Sequence, residues 1–257
     1  MSLSLVAPAP MPEPGRLFLT AQWRYLAMLS YEADRAALRP LVPPGTELDC
    51  WQGKPLLTMV GFLFLDTKIL GVPVPFHRDF SEVNLRFYVR RKADGRWRRA
   101  VVFVEETVPR AAIAWTARLL YGENYHWAPM AHRIDFERGD PNRPTCVSYS
   151  WKHGNRLNRL EVRVGGDSQL VHEGTVQEFV TEHYWGYSRG RGERTGTLEY
   201  KVEHPRWRCW PAASARLDGD SFSQFGESLG ASLAAKPVSS LLAEGSEVRV
   251  YRPVRIA

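Results

Sequence analysis

The sequence predicts a mainly β fold of the α+β class: antiparallel strands forming a closed or nearly closed barrel, or a sandwich, with a few inserted helices. Three observations carry this. The segment from Glu82 to Arg90 alternates, with Val83, Leu85, Phe87 and Val89 on one face and Glu82, Asn84, Arg86 and Tyr88 on the other. Similar short runs recur along the chain and are joined by hairpin turns rather than by alternating helices. With 257 residues, 44% hydrophobic and 12% aromatic, the chain can build one sizeable core and is too rich in aromatics to be disordered. One domain over residues 16–257 is expected. Residues 1–15 hold four prolines and no basic n-region, and read as a disordered leader.

Thr20 to Ser30 mixes aromatic and aliphatic residues as a first strand does, and Glu32 to Leu41 reads as a short helix closed by Pro43 and Pro44. Leu56 to Asp66 is a strand. Glu82 to Arg90 pairs with Trp97 to Glu105 in a hairpin around Ala93-Asp94-Gly95. Pro109 to Tyr121 has proline where a helix starts and Gly122 where it stops. Strands follow at Arg133 to Phe136, Thr145 to Lys152 and Arg159 to Val164, a short helix at Val176 to His183, and a strand at Thr197 to Val202. The C-terminal part offers a strand near Trp207 to Leu217, a helical stretch from Ser221 to Leu233 and a last strand from Glu247 to Tyr251.

Composition excludes several classes of function. The longest apolar run, Leu56 to Leu65, is about half the roughly 20 residues a membrane helix requires. The odd trio Cys50, Cys146 and Cys209 fits reduced thiols in a cytoplasmic protein. A net charge of +6 raises the prospect of a nucleic-acid partner. Its one dense cluster, Arg90, Arg91, Lys92, Arg96, Arg98 and Arg99, reads instead as a solvated hairpin tip.

Gly226-Glu227-Ser228-Leu229-Gly230 matches a nucleophile elbow, but no Asp or His follows Ser228 and no parallel βα pattern precedes it. Gly190, Gly192 and Gly196 lack dinucleotide spacing, and no histidine stands in a metal-binding pair. No cofactor and no metal are expected.

The densest polar and aromatic run is Thr181-Glu182-His183-Tyr184-Trp185-Gly186-Tyr187, followed by Glu199-Tyr200 and His204-Pro205-x-Trp207. Together with Glu82-x-Asn84-Leu85-Arg86-x-Tyr88-Val89 and Leu41-x-Pro43-x-Gly45-Thr46, this spacing resembles the uncharacterised YqjF-like family over about residues 17 to 253. That family is similar to the acetoacetate decarboxylase superfamily, which implies a cone-shaped antiparallel β-barrel around a pocket. Acetoacetate decarboxylase uses a lysine pair; the corresponding stretch here, Glu106-Thr107-Val108-Pro109-Arg110-Ala111, has none. Arg110 cannot stand in, because a guanidinium stays protonated and does not condense with a ketone. The resemblance further implies Arg24 as receiver of a substrate carboxylate, Glu82 as one pocket acid, and Glu105 or Glu106 as the other.

The expectation is a small-molecule-binding barrel for an anionic or carboxylate-bearing ligand, not a Schiff-base decarboxylase, with Arg24, Arg86 and Arg110 as charge partners and Glu82, Tyr88, Glu105 and Tyr184 also at the site. A homo-oligomer is compatible with it. The polar face of Glu82 to Arg90 either lines the lumen or faces water, and the sequence leaves both open. Two alternatives stand beside this: a lyase or hydrolase exchanging protons through Glu106 and His183, the histidine oriented by Glu182, and a basic module binding nucleic acid.

Overall fold

The computed structural model describes residues 15–73, 77–111, 124–189 and 196–256, and the chain there is mostly β. The leader lies outside these residues but for Gly15, and so does the expected helix beyond Ala111.

The long strands are β1 (Leu17–Glu32), β2 (Lys54–Ile69), β3 (Phe80–Ala93) and β4 (Arg96–Val108), then β5 (Met130–Glu137), β6 (Asp140–His153) and β7 (Arg156–Val164). They are followed by β8 (Trp185–Arg189), β9 (Thr197–Glu203), β10 (Arg208–Asp218) and β11 (Ser239–Tyr251). Hydrogen-bonded pairing runs β1–β2–β3–β4–β8–β9–β11 and returns to β1, a ring of strands. All steps but one are antiparallel. At Ala100–Val101 and Trp185–Gly186, β4 and β8 run parallel, because the long excursion through β5 to β7 lets the chain re-enter the ring in the same direction.

A second layer, β5–β6–β7–β10, covers one outer side of the ring. Strand β10 ties the layers together: Cys209 to Pro211 pair with β11, and Ala212 to Asp218 pair with β7. Between the layers, Leu29, Leu57, Leu85 and Phe87 of the ring pack against Val147, Tyr149, Trp151 and Leu160. The sheets lie close together at Gly61, where an added Cβ would lie 2.5 Å from Cδ2 of Tyr149. A separate cluster, including Leu26, Met28, Val60, Phe62 and Phe64, occupies the ring's interior.

Local structure follows local chemistry. The β3–β4 hairpin turns on Asp94 and Gly95, both at positive φ (50° and 74°), as a two-residue connection with the twist of its strands requires. The expected helix at Glu32 to Leu41 is shorter, because β1 continues through Glu32 and the Asp34 carboxylate caps α1 (Arg35–Leu38), which passes into a 3₁₀ turn at Arg39–Leu41. Helix α2 (Val176–Thr181) starts at the Thr175 hydroxyl. The stretch from Ser221 breaks at Gly226 into α3 (Ser221–Phe225) and α4 (Glu227–Ala234). Ser228 of the G-x-S-x-G match is exposed in the first turn of α4. No helix among the described residues is long and apolar enough to cross a membrane.

Candidate functional site

The ring encloses a cavity of about 280 Å³. Its wall is largely aromatic, including Trp23, Phe62, Phe64, Phe80, Phe103 and Trp207. Against this wall stand Glu82, Asn84, Arg86, Glu106 and His183. The strand β3 explains the polar set. Val83, Leu85, Phe87 and Val89 are consumed by the core between the layers, so the alternate residues turn inward, and every residue from Ser81 to Val89 is buried.

Along this inward face Glu82 accepts from the Asn84 amide at 3.0 Å and from the Tyr125 hydroxyl at 3.3 Å. Glu106 stands opposite Asn84 in the β3–β4 ladder. Arg86 is 8% exposed and donates from Nη2 to the Val180 carbonyl at 2.9 Å, while its Nε has no partner. Among the described residues it forms no ion pair, and its guanidinium lies 5.8 Å from the ring centre of Tyr88. A buried cation without a counter-charge is costly to keep and is an attractive place for an anion.

The second polar feature is a dyad. Nε2 of His183 lies 3.2 Å from Oδ2 of Asp49, and the histidine side chain is 1% exposed. Arg99 bonds the same carboxylate from Nε at 3.0 Å and reaches Glu178 of α2 with Nη1 at 3.1 Å, so β4, α2 and the Asp49 segment form one network. Burial, with the nearby cations Arg99 and Arg86, pushes His183 down to about 4 despite its bond to Asp49. Burial pushes the Asp49 carboxyl up, but the bonds from His183 and Arg99 outweigh it and leave the group below its ordinary value. At neutral pH His183 is therefore an uncharged imidazole facing a carboxylate. Its Nδ1 is buried without a partner. The orienting acid is Asp49, 134 residues away, and not the adjacent Glu182, which bonds Tyr184 and Thr181 and lies 3.6 Å from Arg206.

The other expected residues are divided. Tyr88 does not line the cavity: it packs behind His183 with ring centres 4.6 Å apart, its hydroxyl donating to Thr58 at 2.8 Å. A bulge between Leu85 and Arg86 in the β3–β4 register sends Glu105 outward, where Gln224 of α3 donates to it at 2.6 Å, and returns Glu106 inward. Tyr184 does not line this cavity: it faces a neighbouring cleft with Trp97 and Lys201. Burial and the bond to Glu182 raise its phenol. Arg24 bonds Gln22 and the Gly245 carbonyl on the face of β1 opposite Trp23, and Arg110 is exposed past the end of β4. All six lysines of the sequence fall within the described residues, and none lines the cavity. Lys68 pairs with Asp66 at 2.9 Å, and Lys201 with Glu203 at 2.5 Å. No group of three or more His, Cys, Asp or Glu side chains among the described residues is placed to hold a metal.

Four of the six cations of the basic hairpin are paired, while Lys92 and Arg96 form no ion pair among the described residues. Arg90 pairs with Glu47, Arg91 and Arg98 with Glu199, and Arg99 with Asp49 and Glu178.

Solved structures similar to this chain include acetoacetate decarboxylases. An acetoacetate decarboxylase from Legionella pneumophila superposes with a TM-score of 0.65 at 13% identity, covering 99% of this chain and 93% of that one. An acetoacetate decarboxylase-like enzyme from Sphingomonas wittichii RW1 gives 0.66 at 12%, over 99% and 98%. The enduracididine biosynthesis enzyme MppR, complexed with pyruvate, gives 0.65 at 15%, over 96% and 92%. At these identities the likeness shows the fold. In sequence, 81 residues are 35% identical to the uncharacterized protein YqjF of Bacillus subtilis (strain 168), a match spanning 31% of this chain and 34% of that protein. The model of the DUF2071 family, "Uncharacterized conserved protein (COG2071)", matches residues 20–247, and the chain belongs to that family.

Proposed function

We propose that the ring is a small β-barrel whose cavity binds a small carboxylate-bearing molecule with an apolar body, its anionic end on Arg86. The observation that carries this reading is the buried Arg86 guanidinium, which lines an aromatic cavity with no carboxylate paired to it among the described residues. The two acids do not compete for that end. Neither Glu82 nor Glu106 forms an ion pair with Arg86 among the described residues, and Glu82 is held by Asn84 and Tyr125. A fold neighbour complexed with pyruvate, itself a carboxylate, is consistent with the reading. The absence of lysine from the cavity wall argues against Schiff-base chemistry at this site.

A second reading is favoured by the Asp49–His183 dyad: acid–base turnover of the same ligand, with the neutral imidazole as base. Calorimetric titration tests the first reading by comparing 3-phenylpropionate with 3-phenyl-1-propanol. The carboxylate is expected to bind at least tenfold more tightly, and equal affinities overturn the reading. Appearance of a product over hours, abolished by His183→Gln, favours the second.

A further inference from the structure

We infer that the ligand is a hydroxy acid: an anionic group on Arg86 and, close to it, a hydroxyl whose proton is accepted by Nδ1 of His183. The inference rests on the proposed anion site and extends it to a second group. Arg86 and His183 meet around Tyr88. The guanidinium carbon is 5.8 Å and the imidazole 4.6 Å from the tyrosine ring centre, and Arg86 donates to the Val180 carbonyl, which lies 3.4 Å from the Tyr88 hydroxyl.

Each carries one buried atom without a partner, Nε on Arg86 and Nδ1 on His183. The two atoms differ in kind. Nε–H is a charged donor and calls for an anion's oxygen. For His183 the neighbour decides the tautomer: Asp49 is held below the ordinary carboxylate range and offers only acceptors, so the imidazole proton sits on Nε2 and Nδ1 presents a bare lone pair. A buried acceptor left unpaired is destabilising, and a ligand hydroxyl would satisfy it. An ammonium would also donate, but the Arg86 cation disfavours it there. Donor and acceptor together select a hydroxy acid over a simple acid and over an amino acid. The aromatic wall selects an apolar remainder.

The test compares dissociation constants of 3-phenylpropionate, 3-phenyllactate and phenylalanine for the intact protein and for His183→Gln. The glutamine keeps a polar atom toward Asp49 and removes Nδ1. In the wild type, 3-phenyllactate is expected to bind roughly tenfold more tightly than 3-phenylpropionate, with phenylalanine no better than the latter. In His183→Gln the two acids are expected to bind equally, whatever the affinity of 3-phenylpropionate itself in that variant. If the hydroxyl gives no advantage in the wild type, or keeps its advantage in the variant, the inference is overturned while the anion site stands. If neither acid binds, the anion site fails and the inference with it. Should the variant not fold, ¹⁵N resonances of the wild-type histidines decide: Nδ1 of His183 is expected to move upfield with 3-phenyllactate but not with 3-phenylpropionate, and an unmoved resonance overturns the proposal.

Discussion

Replacing Arg86 with methionine separates its role in binding from any role in folding. Methionine nearly matches the length of the arginine stem and fills the same space without charge. The Val180 carbonyl loses its 2.9 Å bond from Nη2, and the Tyr88 hydroxyl, 3.4 Å away, already donates to Thr58 at 2.8 Å, so the substitution removes one backbone partner. The anion loses a charge-assisted hydrogen bond of about 1.5 to 3 kcal/mol, or roughly 10- to 150-fold in dissociation constant. Folding stability is expected to change little, because relief from burying an unpaired guanidinium offsets the bond lost at the Val180 carbonyl. Quenching of tryptophan fluorescence reports the binding, since Trp23, Trp185 and Trp207 line the cavity. Arg24→Met is the control: it lies on the opposite face of β1 from Trp23 and is expected to leave affinity unchanged. Wild-type affinity in Arg86→Met, or an equal loss in Arg24→Met, refutes the assignment of the anion to Arg86.

Three further outcomes follow from particular contacts. Gly61→Ala places a methyl group 2.5 Å from Cδ2 of the fully buried Tyr149, whose hydroxyl is tied to the Tyr25 carbonyl at 2.8 Å; a loss of about 1 to 3 kcal/mol is expected in thermal unfolding, and an unchanged melting temperature contradicts the close approach of the layers. The folded pKa of His183, about 4, lies below its unfolded value near 6.5, so the unfolded chain binds the extra proton between them. Stability is therefore full above about pH 6.5 and falls by about 3 kcal/mol as pH drops to about 4. Burial depresses His204 to about 4 as well, so urea unfolding should show a shallower pH dependence in His183→Gln than in wild type, and identical slopes count against the buried neutral imidazole. Borohydride reduction in the presence of acetoacetate, read by intact mass, is expected to give no stoichiometric lysine adduct; such an adduct with release of carbon dioxide overturns the reading.

The strands and the tight hairpin were legible because each rests on a local rule: alternation over Glu82 to Arg90 and a turn at Asp94 and Gly95, the two positions found at positive φ. The boundaries that moved did so for non-local reasons. Strand β11 begins at Ser239 rather than near Glu247, because Leu241 to Ala243 are apolar on both faces and need β10 and β1 to show where each face goes. The missed dyad partner has the same character. Asp49 precedes a half-buried cysteine in a short connecting segment, and no spacing links it to a histidine 134 residues later; only the folding of α2 against Tyr88 brings them together.

The polar face of β3 shows why alternation alone could not locate the site. In a sheet with one wet side, the apolar residues face the core and the polar residues face water. Here the second layer covers the outside of the ring, so both faces of β3 are buried, and the apolar set is already used between the layers. Glu82, Asn84 and Arg86 then have nowhere to point but the cavity. The register of β4 matters for the same reason. Continued regularly from the Arg86–Phe103 pair, the ladder would turn Glu105 inward and Glu106 outward; the one extra residue in the bulge reverses this, sending Glu105 to Gln224 and Glu106 to the interior. Burying carboxylates and a cation in an aromatic chamber weakens the fold unless each finds a partner. Asn84 and Tyr125 serve Glu82, but the Nε of Arg86 and the Nδ1 of His183 remain unsatisfied among the described residues. That cost, located at two atoms on one wall, is what a ligand would relieve, which is why the binding argument rests on Arg86 and His183 rather than on the net charge of the chain.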